Sequence, residues 1–224
     1  MAQELSDPFS LAFVLAHAAT LHQLRREAQA AQERTEAVLA LAREQGFLRW
    51  EAWGTIIGGW ALAAQGQREE GIAQIRQGLA AWQAAGQELG RPVFLALLAE
   101  AYGKVGQAEA GLSVIVEALA LMDKIGERDY EAELYRLRGE LLLRHTVPDA
   151  PQAEACFQQA LIVGRHRQAK SLELRAALSL SRLWQQQGKR AAARQLLAEV
   201  YGWFTEGFDT ADLREANALL DELA

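Results

Sequence analysis

A chain of 224 residues with 50% hydrophobic and 8% aromatic content can bury a sizeable core, and four prolines with no alternating β-branched runs exclude a sheet-rich fold. A formal charge of −6 and a pI near 5.4 argue against nucleic acid as a partner, because attraction to phosphate backbones needs clustered Lys and Arg. Cys156, the single cysteine, excludes an internal disulfide and fits a cytoplasmic setting, and the first apolar stretch, Phe9 to Ala19, is too short for a membrane span and lacks a basic leader.

Asp7 and Pro8 predict an N-cap and a first-turn proline for a helix to about Leu24, with Phe9, Phe13, Ala16 and Ala19 at helical spacing. A second helix runs from about Ala28 through Ala31, Val38 and Ala42 to Gly46, which can take the left-handed conformation that closes helices. The next pair spans Leu48 to the Gly66 turn and about Glu69 to Ala85, and a third runs from about Arg91 to Ile125 around Gly106. A fourth covers Tyr130 to Arg144 and about Gln152 to Arg167, joined by a turn containing Pro148 and Pro151. A fifth uses Leu172 to Gln187, the Gly188 turn, and Arg190 to about Phe204. Thr210 then offers a cap to a last helix striped by Leu213, Ala216, Leu220 and Leu223. Trp203, Phe204 and Phe208 either pack that helix onto the fifth pair or form an exposed patch.

The pairs are copies of one another. Gln65 to Ile72 is answered 40 residues later by Val105 to Leu112, and Gly46, Gly86 and Gly126 also stand 40 apart. Such a period predicts a stacked array in which each helix pair is too small to bury its apolar face alone. The units are about 7–46, 47–86, 87–126, 127–168 and 169–208, with a capping helix at about 210–223, in a single repeat domain over 1–224. The fold class is all-α, an α-solenoid of five helix pairs plus the cap.

Counting the turn glycine as slot 15, slot 20 holds Ala31, Gly71, Gly111, Ala153 and Ala193, and slot 27 holds Val38, Gly78, Ala118, Ala160 and Val200. Between them slot 24 holds Thr35, Ile75, Ile115, Phe157 and Leu197. Small residues flanking a large one let two helices approach while the large side chain fills the groove.

At these slots the chain resembles the tetratricopeptide repeat in a longer, 40-residue form: Gly59 and Gly139 at slot 8, Tyr102 and Trp184 at slot 11, and small residues at slots 20 and 27. The repeat's Trp at slot 4 and Pro at slot 32 are missing. Stretches such as EEGIAQIRQGLAAW, YEAELYRLRGELLL and SLSRLWQQQGKRAAARQLLAEVYGWF look like the C-terminal repeat region of bacterial multidomain adenylate/guanylate cyclase-like and ATPase-containing signalling regulators. That resemblance implies a right-handed superhelix lined by the first helix of each pair, acting as a sensor or scaffold. No GxxxxGK[ST] loop occurs, so nucleotide chemistry is not carried over.

By the same analogy the concave groove is lined by slots 2, 5, 9, 12 and 13. Phe13, Thr20, Trp53, Ile56, Trp60, Lys104, Arg136, Glu140, Arg175 and Arg182 are its candidate residues. Trp53 and Trp60, two turns apart, either clamp an apolar side chain or fill the core between units. Arg136, Arg144, Arg175 and Arg182 either cradle a carboxylate or form a solvated face neutralised by Glu133 and Glu140. Glu100 and Lys104, four apart, are placed to pair with each other. His17, close to the apolar stripe, reads as a partly buried core group. With four scattered histidines and one cysteine there is no metal-ligand set, no cofactor is expected, and neither Ser113 nor Ser171 has a histidine at helical spacing. The expected function is non-catalytic binding of a protein or peptide. The alternatives are a small-molecule sensor and a self-associating array, a homodimer for instance.

Overall fold

The structure, a computed structural model, describes residues 7–224. Eleven α-helices and no strand occur among them. The chain divides into two compact halves, Met1–Gln107 and Ala108–Ala224. The first holds α1 (Pro8–Leu24), α2 (Ala28–Gln45), α3 (Leu48–Ala64), α4 (Arg68–Ala84) and α5 (Arg91–Lys104). The second holds α6 (Ala108–Ile125), α7 (Glu131–Leu143), α8 (Ala150–His166), α9 (Lys170–Gln186), α10 (Arg190–Tyr201) and α11 (Ala211–Glu222).

Helix starts follow the local chemistry, with two departures from expectation. The Asp7 carboxylate accepts the amides of Phe9 at 3.3 Å and Ser10 at 3.1 Å, and Pro8 opens α1. Asp149 likewise accepts the Gln152 amide at 2.9 Å, so α8 begins at Ala150, ahead of the expected Gln152, with Pro151 in its first turn. Thr210 does not cap α11 through its side chain, because its hydroxyl donates backwards to the Gly207 carbonyl at 2.7 Å. At the other kind of boundary, α10 stops at Tyr201, short of the expected Phe204, because Gly202 follows as its C-cap.

Several turns, within pairs and between them, close by one repeated bond. At Gly66 (φ 100°) the Gln67 amide donates to the Leu62 carbonyl at 3.0 Å, six residues spanned by a left-handed residue. Arg26 (φ 62°) and Gln168 (φ 56°) take the same conformation without being glycine, and the Glu27 and Ala169 amides close the same ring at 2.9 Å. The repeated backbone therefore imposes the turn even where the residue disfavours it.

Within a pair the small residues set the spacing. A Cβ on Gly71 of α4 would lie 2.5 Å from the Gly59 carbonyl oxygen of α3, and one on Gly139 of α7 would lie 2.4 Å from the Phe157 ring of α8. The backbones of α3 and α4 thus touch where a side chain would hold them apart. Ile75, Ile115, Phe157 and Leu197 at slot 24 are fully buried, as is Ala at slot 20 in units one, four and five. In the second half a continuous core runs from Ala153 and Phe157 through Leu174 and Leu178 to Leu213, Ala216 and Leu219 of α11. In the first, Ala12, Ala16, Val38, Ala42 and Trp50 form a core with Leu15, Phe47 and Trp53 at its edge.

First helices touch one another: α1 meets α3 and α3 meets α5 in the first half, and α7 meets α9 and α9 meets α11 in the second. Among the described residues of each half, no second helix meets another. Closer approach of the first helices gives each half a wall made of them, and α11 takes a first helix's place at the end of the second wall. No helix among the described residues is long and apolar enough to cross a membrane.

Candidate functional site

In the first half the wall is aromatic, and Trp53 is its hub. Its ring lies 5.0 Å from His17, 5.8 Å from Trp50, 5.7 Å from Trp82 and 5.4 Å from Phe94, in edge or tilted arrangements that favour aromatic packing. The Trp53 indole donates to the Thr20 hydroxyl at 2.9 Å, which joins α3 to α1. Trp50, Trp82 and Phe94 are buried beneath. Trp53 is half-buried, while Phe9 and Phe13 are exposed beside it. Phe13 stacks on the His17 imidazole at 4.0 Å, and His17 Nδ1 is 2.8 Å from the Phe13 carbonyl. His17 is exposed, contrary to the expectation of a core group: on the helix wheel it falls beside Phe13 and away from Ala12, Ala16 and Ala19.

Two expected groove residues belong to the core. Ile56 is 0% exposed and Trp60 is 4% exposed. The reason is helical geometry: Ile56 at slot 5 lies one turn from Ala52 and faces α4, where a Cβ on Gly78 would lie 2.5 Å from its side chain. Ala16 and Ala96 at the same slot are also fully buried. Trp60 is turned along the wall, and its indole donates to Glu100 at 3.3 Å. Lys104 lies at the rim with Glu100, its ammonium 2.7 Å from the carboxylate, so this pair closes as its spacing predicts.

In the second half the same slots carry a ladder of ion pairs. Arg136 donates two bonds to Glu133, at 2.7 and 2.9 Å, and lies 3.6 Å from Glu140. The Ser179 hydroxyl of α9 donates to Glu140 at 2.7 Å. Arg175, 10% exposed, reaches Asp212 of α11 at 2.8 Å and Glu133 of α7 at 3.7 Å. Burial opposes the charge on Arg175, yet Glu133 and Asp212 outweigh it and raise its pKa further above the usual guanidinium value. Arg182 pairs with Glu215 and Arg144 with Glu140, the latter at 3.3 Å. Acidic groups of the chain itself thus hold the guanidiniums of Arg136, Arg144, Arg175 and Arg182. Sequence reasoning found Glu133 and Glu140 but missed Asp212 and Glu215, because nothing local marks α11 as the neighbour of α9.

Among the described residues no group of three His, Cys, Asp or Glu side chains is placed to hold a metal. Cys156 is buried, and that burial pushes its thiol pKa up. A cleft of about 380 Å³ opens between α3 and α4 beside Glu51, Thr55 and Ala81. Slot 30 holds Ala81 there, where other pairs hold Leu41, Leu121 and Val163. Exposed aromatics recur before α11, where Trp203 and Phe208 stay outside, Lys170 lies over the Trp203 ring at 5.6 Å, and Phe204 packs against the core.

No protein-family model matches the sequence, and no curated protein matches it. Solved structures do. A crystal structure of nearly identical tetratricopeptide-like repeats from a putative kinesin light chain of Podosopora anserina is 19% identical with TM-score 0.58, over 88% of this chain and 96% of that one. The fold is a tetratricopeptide-like helical repeat. A signal transduction ATPase with numerous domains from Pyrococcus horikoshii, described as having a tetratricopeptide repeat sensor, is 12% identical with TM-score 0.65, over 97% of this chain and 33% of that one. The half-buried or exposed Phe13, His17 and Trp53 and the arginines Arg136, Arg175 and Arg182 all belong to the first helices of their pairs.

Proposed function

We propose that this chain is a non-catalytic module that binds a protein or peptide through the aromatic wall of α1, α3 and α5, as the regulatory end of a bacterial cytoplasmic signalling protein. One observation carries the binding face. Phe9, Phe13, His17 and Trp53 stand at the surface over a rigid layer of buried Trp50, Trp82 and Phe94. Exposed aromatics on a preorganised base form the kind of surface that supplies interface hot spots, because little entropy is lost when a partner's apolar side chain packs between them. The partner is an extended segment or helix with an aromatic or aliphatic anchor, and the Glu100–Lys104 pair at the rim selects polar flanks.

The signalling assignment is supported by the resemblance of the repeat sequence to bacterial cyclase-like and ATPase-containing regulators. It is supported too by the Pyrococcus ATPase, whose tetratricopeptide repeats are named as a sensor. Charge plays a smaller role than the sequence suggests, because Arg136, Arg144, Arg175 and Arg182 are paired with acidic groups within the chain.

Selection of peptides from a random displayed library on the intact chain tests the binding face. Enriched peptides carrying apolar anchors should bind Phe13→Glu at least about tenfold more weakly, with the melting temperature nearly unchanged. Equal binding by the variant would place the site elsewhere.

A further inference from the structure

Arg49 stands at one end of the aromatic wall, in the first turn of α3. Its guanidinium carbon lies over two rings, 5.0 Å from the centre of Trp50 and 5.6 Å from that of Trp82. The residue is exposed, and packing over rings leaves the N–H fork of the guanidinium without an acceptor. Among the described residues no carboxylate pairs with it. Glu51, two residues on, is held instead by Arg43 of α2 at 3.0 Å. Arg49 differs in this from Lys104, Arg136, Arg144, Arg175 and Arg182, each of which an acidic group of the chain neutralises.

Two further observations mark the place. The dipole of α3 disfavours a cation in its first turn, so helix stability does not account for Arg49. Trp50, whose ring Arg49 covers, is 1% exposed, and its indole N–H has no acceptor. The indoles of Trp53, Trp60, Trp82 and Trp184 are all bonded. Two adjoining side chains thus hold donors that the chain does not satisfy.

We infer that Arg49 is an anion subsite of the aromatic wall, and that the partner carries an Asp or Glu side chain beside its apolar anchor. The inference rests on the binding face proposed above and adds the charge the partner must bring. Arg49 and Trp53, four residues apart, share a face of α3, and the Trp50 ring lies 5.8 Å from both Trp53 and Phe13. An anchor seated on Phe13 and Trp53 therefore has the guanidinium within about three residues of extended chain. A planar fork already packed over two rings takes a carboxylate in two parallel bonds with little further loss of side-chain freedom. Arg49 precedes slot 1 of its unit, so the slots of the tetratricopeptide repeat do not point to it.

Peptides selected on the intact chain from a random displayed library are the probe. Those with an apolar anchor should carry Asp or Glu within about three residues of it more often than the starting library does. Replacing that acid by Asn or Gln in the peptide should weaken binding to the intact chain about tenfold, and binding to Arg49→Gln less than about twofold. The peptide-side substitution needs no altered protein, so it still decides the matter if Arg49→Gln fails to fold. Enriched peptides without an acid near the anchor overturn the inference, and so does an equal loss of binding in Arg49→Gln. Either result, with binding still weakened by Phe13→Glu, leaves the aromatic binding face standing. Peptides indifferent to Phe13→Glu remove that face and this subsite with it.

Discussion

The walls built by α1, α3 and α5 and by α7, α9 and α11 use the same slots of one repeat to opposite ends. At slot 2 the first has Phe13 and Trp53, whose rings reach the surface, whereas the second has Glu133 and Arg175, both nearly buried and bonded across helices. At slot 9 the first has Trp60 turned sideways onto Glu100, and the second has Glu140 held by Arg136, Arg144 and Ser179. A scaffold position does not by itself make a binding surface. What decides is whether neighbouring helices satisfy the side chain, and here they satisfy the charges and leave the rings partly open.

The largest effect is expected from breaking the charged wall. Arg175→Ala leaves Glu133 and Asp212 in a buried setting with one counter-charge fewer and should cost about 3 kcal/mol, measured by urea unfolding. Because Asp212 belongs to α11, hydrogen exchange in α11 should quicken as well. A cost below about 1 kcal/mol, the ordinary worth of an exposed pair, would mean that the ladder is merely a surface array.

The aromatic wall breaks more gently, through its backing. Gly71→Ala places a Cβ against the Gly59 carbonyl, so α3 and α4 must separate, at a cost of about 2 kcal/mol. Ile75, which packs at the Gly59 contact, then loses packing, and urea unfolding should report the loss. Next in size is a control that touches neither wall: Gln168→Gly relieves a left-handed residue and should raise stability by about 1 kcal/mol.

The smallest effect lies in acid. Burial pushes the Glu173 carboxyl pKa up, but hydrogen bonds from Lys170 and Arg165 outweigh this and hold it below the ordinary value of 4.5. A depressed folded-state pKa contributes stability that is present above the unfolded value and lost as pH falls through the folded one. Glu173→Gln should therefore flatten the loss of stability below about pH 4.5 while changing the slope little near neutrality. An unchanged acid limb would show that the pairs with Lys170 and Arg165 do not persist in solution.

Much of this architecture was legible because it is periodic. The glycines at Gly66, Gly106 and Gly188 located three of the turns, and the small–large–small pattern around Ile75 and Phe157 located the pair contacts. Capping was harder, since Asp149 and Thr210 look alike in sequence and differ in where the side chain finds a partner. The groove was legible only in places. Slot analogy named Phe13 and Trp53, but it also named Ile56 and Trp60, because a small rotation of a helix moves a residue from wall to core and leaves the spacing unchanged. Asp212 and Glu215 were not legible as partners of Arg175 and Arg182, because the separations of 37 and 33 residues carry no signal for that contact.

The most direct measurement follows the six tryptophan indole N–H resonances as a selected peptide is titrated into the chain. The account predicts that Trp53, whose indole bond to Thr20 lies in the aromatic wall, shifts in proportion to occupancy while Trp184 and Trp203 in the second half do not. Shifts confined to Trp184 or Trp203, with Trp53 unmoved at saturation, would contradict it.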